Sequence, residues 1–353
     1  MYDLGVVPGK FFPPHRGHLY QIIRAATMCK KLLVVVSDNE TVTFDKCRKD
    51  NLPCVPVNMR ALWLSQELQG ISNVEVHMLD ETNIPLYPDG SEPWAAMVKE
   101  LVAPEHIDVI FGGEEEYQDV YMQFFPGTEY NVFDYSRSRY SVSGTEVRNN
   151  YLEHWDYILG SARSYFARRI LITGTESCAK TTLTKYLGKI FHTSWSEEYG
   201  RYYAGEFLGG NDKLFTLRDF QEVAWRQHRQ DEEALKGANR ICFFDSDAVV
   251  TQYYCELYTG SANPGVEQFI DPQKYDAVLL MAPTVQWVPD GDRFKSEQAE
   301  RERLHRKLHY MYLDRGFKDK IIEIDDPEYS VRLQRAISVS DMLLGSREYM
   351  SRY

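Results

Sequence analysis

The sequence predicts an α/β protein built from two doubly wound parallel-sheet domains, and three observations carry that prediction. Apolar, β-branched runs alternate with helix-spaced segments along most of the chain, the rhythm of parallel sheets with helices on both faces. Two glycine-opened, lysine-bearing loops, residues 9–18 and 174–182, each join such a run to a helical pattern. The 353 residues suffice for two domains that each bury their own core.

Taken in order, residues 4–7 form the first strand, and Leu19, Ile22, Ile23 and Ala26 follow helical spacing. Residues 32–36 are a continuous Leu-Leu-Val-Val-Val run, as a strand buried on both faces requires. A helix over 59–68, a strand over 74–78, a helix over 94–102 and a strand over 107–111 complete the first alternation. In such sheets ligands bind beyond the carboxyl ends of the strands. Chemistry is therefore expected in the first connection, G-K-F-F-P-P-H-R-G-H over 9–18.

Gly9 lets backbone approach a phosphate, the prolines fix the loop, and His15 and His18 stand one helical turn apart at a helix start. Two imidazoles so placed can donate to an anion, aided by the helix dipole. Metal ligation and plain packing at a turn are the alternatives; no third ligand follows at matching spacing. Downstream, Ser143 with Glu146 reads as a capping box. Gly144 and Thr145 offer N–H and hydroxyl donors there, and Arg148 projects from the same turn toward any docked phosphate.

The pair of motifs, G-K-F-F-P-P-H-R-G-H and V-S-G-T-E-V-R over 142–148, resembles the signature of the HIGH-type nucleotidyltransferases. The resemblance implies a Rossmann-like domain that joins a nucleotide to a phosphate and releases pyrophosphate. His15, His18, Lys10 and Arg148 would then contact ATP phosphates with a divalent cation, Mg2+, assisting. Gly9, Phe11, Gly17, Ser143, Gly144 and Thr145 would line the nucleotide site. Arg60 and Trp63 match positions used around the acceptor mononucleotide, although an aromatic at helical spacing also suits a core.

Residues 151–168 are mixed, helical in tendency, with Trp155 and Ile158 spaced to pack on one side. The expected division is a first domain over 1–155, a short connection over 156–168 and a second domain over 169–353. Strands are expected at 170–173, 193–196, 241–244, 277–281 and 321–324, with a capping box at Thr216 and Asp219 opening the clearest helix.

The loop G-T-E-S-C-A-K-T-T over 174–182 is a P-loop in context: strand, glycine-opened loop, then Lys-Thr at a helix start. Gly174, Thr175, Glu176, Ser177, Cys178 and Thr182 would cradle phosphates, Lys180 reach the β- and γ-phosphates, and Thr181 hold Mg2+. Ala179 stands where the pattern has glycine, so a positive φ there strains the loop by ~1 kcal/mol. Asp245 ends a buried strand at the position of a Mg2+ partner. Glu198 ends the preceding strand as the candidate base for a sugar hydroxyl, with Asp247 the runner-up; helix capping is the plain alternative for all three. Residues 286–293 read as a lid carrying Arg293. Tyr258 and Trp287 suit either stacking on a flat ring or core packing.

A HIGH-type domain followed by a P-loop kinase domain resembles the NadR-type bifunctional nicotinamide-nucleotide adenylyltransferases and ribosylnicotinamide kinases over nearly the whole chain. Local runs extend the likeness: E-Y-G-R over 198–201, D-S-D over 245–247 with Thr251 and Gln252, and W-V-P-D-G over 287–291. The resemblance implies phosphorylation of nicotinamide riboside to the mononucleotide (NMN) by the second domain, and adenylylation of NMN to NAD by the first. Tyr199, Arg201, Asp247, Tyr258 and Trp287 would then surround the riboside. A nucleotide-sensing second domain, or another phosphorylated acceptor, remains open.

A net charge of -12 argues against a nucleic-acid surface, which needs a basic face. Some members of the family carry an N-terminal helix-turn-helix; this sequence opens on the first strand, and no DNA binding is expected. The six cysteines show no paired spacing, which favours reduced thiols in the cytoplasm. No run approaches the ~20 apolar residues that cross a bilayer. A homo-oligomer is left open.

Overall fold

The computed structural model describes residues 1–49, 52–133, 138–285 and 297–345. The chain divides into two compact units, Met1–Phe166 and Ala167–Tyr353.

In the first unit, β1 (Tyr2–Gly9), β2 (Cys29–Asp38), β3 (Val74–Asp80), β4 (Val109–Gly112) and β5 (Glu129–Val132) form one sheet in the order β3-β2-β1-β4-β5. Every pairing in it is parallel. Leu4, Val6, Leu33, Val35 and Ile110 project into a core closed by Ala95, Val98 and Val102 of the Ser91–Val102 helix. Strand order reverses beside β1, so the loops after β1 and β4 flank the crevice where such sheets bind ligands.

The second unit repeats the plan. β6 (Arg168–Thr173), β7 (Trp195–Ser196), β8 (Ile241–Asp245), β9 (Ala277–Met281) and β10 (Ile321–Ile324) pair in parallel in the order β10-β9-β6-β8-β7. β8 and β9 are buried throughout, which explains their continuous apolar runs. Gly174 follows β6 at φ +146°, and a Cβ there would meet the Met281 carbonyl at 2.6 Å. Only glycine fits where the loop turns off the sheet.

The anticipated α/β architecture is present, with differences in detail. β5 was not expected, because its Glu129-Tyr130-Asn131-Val132 sequence lacks a β-branched run. β7 is only two residues long. The stretch expected as a connection, 156–168, belongs up to Phe166 to the first unit. It carries the helix Gly160–Phe166. Ile158 bridges His15, Ser161 N donates to Glu67 Oε1 at 2.8 Å, and Phe166 packs on Trp63 at 5.8 Å between ring centroids. Aromatic burial, invisible to linker composition, fixes that boundary. Among the described residues no helix is long and apolar enough to cross a membrane, and all six cysteines are free.

Candidate active sites

The first site is a cavity of about 590 Å³ at the strand-order reversal, lined by Gly9, Lys10, Phe11, His15, Gly17, His18, Ser143, Gly144, Thr145 and Arg148. That volume suits a nucleotide-sized ligand. His15 is the N-cap of the Arg16–Ala26 helix, its Nδ1 accepting from Gly17 N at 3.2 Å. His18 closes the capping box, its Nδ1 accepting from His15 N at 3.3 Å, and the two rings stack 3.7 Å apart. Because each Nδ1 accepts, the proton of each neutral ring sits on Nε2. Backbone capping thereby fixes the tautomer.

The second motif enters as expected. Ser143 caps the Gly144–Asn149 helix, its Oγ accepting from Glu146 N at 3.2 Å while Glu146 Oε2 accepts from Ser143 N at 2.6 Å. Arg148 Nη1 donates to Phe12 O at 2.7 Å and Nη2 to Thr145 Oγ1 at 2.8 Å, joining the two motifs. Lys10 Nζ lies 3.9 Å from Glu81.

Arg60 and Trp63 do not line the cavity. Arg60 is fully buried, its Nη2 2.6 Å from Asp38 Oδ1 and its Nη1 donating to Lys10 O at 2.5 Å. It therefore holds the loop from behind. Trp63 packs on Tyr165 and Phe166 in the core. An aromatic wall supplied by Tyr87, Trp94, Tyr117, Tyr121 and Tyr130 lines the cavity instead, with Trp94 Nε1 donating to Ser37 Oγ at 3.1 Å. Sequence reading missed it, since each ring comes from a different turn and reads singly as core.

The second site surrounds the P-loop. Ala179 adopts φ +69°, the left-handed conformation that glycine would take freely, and Ser177 lies at φ +55°. No side chain caps the Lys180–Ile190 helix. Lys180 Nζ donates to Thr175 O at 2.9 Å, and Thr181 Oγ1 donates to Asp245 Oδ2 at 2.5 Å. Asp245 is fully buried and its Oδ1 lacks a hydrogen-bond partner. Burial first, and the Glu198 carboxylate second, push its pKa up to about 6 against the pull of Lys180 and Thr181. A buried carboxylate with an orphaned oxygen beside a hydroxyl fits a hard divalent cation.

Glu198 precedes the Tyr199–Leu208 helix but makes no side-chain cap bond, so its carboxylate is not spent on capping; Arg201 Nη2 lies 3.7 Å away. Asp247 is spent. Its Oδ1 accepts from Val250 N at 3.2 Å and from Tyr312 OH at 2.6 Å, and burial raises its pKa to about 6. Oδ1 thus makes the helix cap that was the plain alternative to a place among the substrate ligands. Tyr199 packs at a tilt against Tyr202, and Tyr258 is partly exposed beside Tyr254, with Glu176 near its hydroxyl. Cys178 is buried, its thiol near Thr175 Oγ1 and Glu176 O, and Thr182 follows Thr181 in the first turn of the helix. Trp287 and Arg293 lie outside the described residues.

Fold and sites together define an enzyme with a nucleotidyltransferase unit followed by a P-loop kinase unit. A family model described as an AAA domain matches residues 169–329. The chain is 31% identical over 349 residues to the trifunctional NAD biosynthesis/regulator protein NadR of Escherichia coli K12, spanning 98% of this chain and 84% of that one. The Salmonella typhimurium LT2 protein of the same name is 29% identical over 350 residues, with the same coverage. Crystal structures of a NadR protein in complex with NR, and with NAD and AMP-PNP, each superpose with a TM-score of 0.79 at 27% identity, covering 98% of this chain and 97% of theirs. The chain belongs to the NadR family.

Proposed function

We propose that this chain makes NAD from nicotinamide riboside in two ATP-dependent steps. The second unit phosphorylates the riboside to NMN; the first transfers adenylyl from ATP to NMN, giving NAD and pyrophosphate. One observation carries the reading: the loops 9–18 and 174–182 each stand at the carboxyl end of the central strand of their own sheet.

In the second unit, Glu198 accepts the proton of the riboside hydroxyl as its oxygen attacks the γ-phosphorus and ADP departs. Lys180 and the loop N–H groups neutralise charge on the transferring phosphoryl group. Thr181 and Asp245 would hold Mg2+, which would supply neutralisation of phosphate charge when bound. Tyr199, Arg201 and Tyr258 flank the riboside. Asp247 acts at one remove, by fixing the turn after β8.

In the first unit no protein nucleophile is needed. A phosphate oxygen of NMN attacks the α-phosphorus, the bond to the bridging oxygen breaks, and pyrophosphate leaves. The Nε2–H groups of His15 and His18, with Lys10 and Arg148, stabilise charge on the departing phosphates. Arg60 acts by positioning Lys10, and the aromatic wall offers a face to a planar base.

Separate assays test the halves: ATP, Mg2+ and nicotinamide riboside for the mononucleotide, and ATP, Mg2+ and NMN for NAD with pyrophosphate. Both products are expected. Absence of both NMN and NAD in the first assay would reject the kinase in favour of a nucleotide sensor, the reading that strain at Ala179 favours. Turnover of another phosphorylated acceptor in preference to NMN would revise the first unit.

A further inference from the structure

Ser177 and Ala179 both hold left-handed backbone, at φ +55° and +69°, within three residues of the P-loop. Such conformations persist in L-residues only where surrounding contacts over-determine them. Two buried arginines supply those contacts. Arg332, on the Tyr329–Leu343 helix, is 1% exposed and donates to four oxygens: Cys178 O at 3.1 Å, Ala282 O at 2.7 Å, Thr284 Oγ1 at 2.6 Å and Asp326 O at 2.5 Å. One guanidinium therefore ties together the segments following β6, β9 and β10. Arg301 Nη2 donates to Ser177 O at 3.4 Å and its Nη1 to Val285 O at 3.3 Å.

These bonds determine more than position. In a trans peptide the carbonyl and the next N–H point to opposite sides. Drawing the Ser177 and Cys178 carbonyls toward the arginines turns the Cys178 and Ala179 N–H groups the other way, to the side where a phosphate gathers loop donors. Glycine at the last loop position would reach this arrangement without strain. Alanine has to be held in it.

We propose that Arg332, with Arg301 beside it, is a positioning residue of the kinase site: it orients the P-loop peptide planes for ATP and compensates for alanine at position 179. The proposal rests on the kinase reading above. It separates Arg332 from a residue that merely anchors a helix, because an anchor has no reason to depend on residue 179.

The test is a double-mutant cycle of wild type, Ala179→Gly, Arg332→Lys and the double variant, with ATP titrated in riboside phosphorylation. An unshifted melting transition of the second unit serves as the folding control, and adenylyl transfer to NMN as the control for the first unit. Arg332→Lys should raise KM for ATP about tenfold with kcat changed far less, and only about two- to threefold in the glycine background. Hydrogen exchange of residues 174–182, which needs no turnover, should quicken in Arg332→Lys and recover in the double variant. Equal effects in both backgrounds, or a KM within twofold of wild type and unchanged exchange, would overturn the proposal. If wild type forms no mononucleotide, the kinase reading fails and the exchange measurement alone decides the clamp.

Discussion

The two phosphate loops share one device and differ in another. In each, arginine holds carbonyls around left-handed backbone: the buried Arg60 and the half-buried Arg148 take Lys10 O and Phe12 O on either side of Phe11 (φ +45°), while the buried Arg301 and Arg332 take Ser177 O and Cys178 O before Ala179. The helix that follows is treated oppositely. In the first unit the histidines spend their Nδ1 atoms on backbone N–H groups; in the second no side chain caps the helix start. A helix already capped has to meet phosphate through side chains, whereas an uncapped one offers its own N–H groups and dipole. The first site should therefore be sensitive to side-chain loss and the second to backbone conformation.

The largest effect that would break this comparison lies behind the first loop. Arg60→Met leaves Asp38 buried beside Thr43 without its cation. Breaking a buried pair in this way costs ~3–5 kcal/mol, which lowers the melting temperature of the first unit by roughly 10 °C. Calorimetry should show that transition shifted and the other unmoved. A loss below ~1 kcal/mol would mean that the pair does not hold the loop.

Next comes pH. The folded pKa of Asp245, about 6, exceeds the ordinary carboxylate value. Its contribution to stability is thus complete below about pH 4 and is lost as pH rises through 6. On the proposed role of Asp245 as a Mg2+ ligand, activity runs the other way, because holding Mg2+ requires the ionised form. Phosphorylation should fall about tenfold per unit below pH 6, and more Mg2+ should move that limb to lower pH, since a cation favours the carboxylate. Adenylyl transfer should lack this limb. An acid limb common to both activities would contradict the assignment.

The smallest effect sharpens the comparison most. Ala179→Gly relieves ~1 kcal/mol of left-handed strain and should lower KM for ATP in phosphorylation several-fold, leaving adenylyl transfer alone. A raised KM would show that loop rigidity, not loop shape, is what matters.

Much of this was legible in the residues. Ser143 with Glu146 and Thr216 with Asp219 are capping boxes in fact, because the pattern is local and its hydrogen bonds span three residues. The positive φ at 179 was legible for the same reason. Arg60 was not: a guanidinium on a helix beside a nucleotide loop reads as a ligand until Asp38, at the end of β2, is seen to claim it. Asp247 likewise stood among three strand-end acids, and its cap on Val250 N together with the Tyr312 hydroxyl, far along the chain, separates it from Asp245. The aromatic wall and the Arg332 clamp are both assembled by topology from distant turns, which no spacing records.

The central claim is that two sites divide the labour, and one product-resolved reaction tests it. Wild type, Lys180→Ala and His18→Ala would each receive ATP, Mg2+ and nicotinamide riboside, with nucleotides separated by chromatography. Wild type should yield NAD, Lys180→Ala should stop at the riboside yet make NAD when given NMN, and His18→Ala should accumulate NMN. Failure of both variants at the same step would contradict the account.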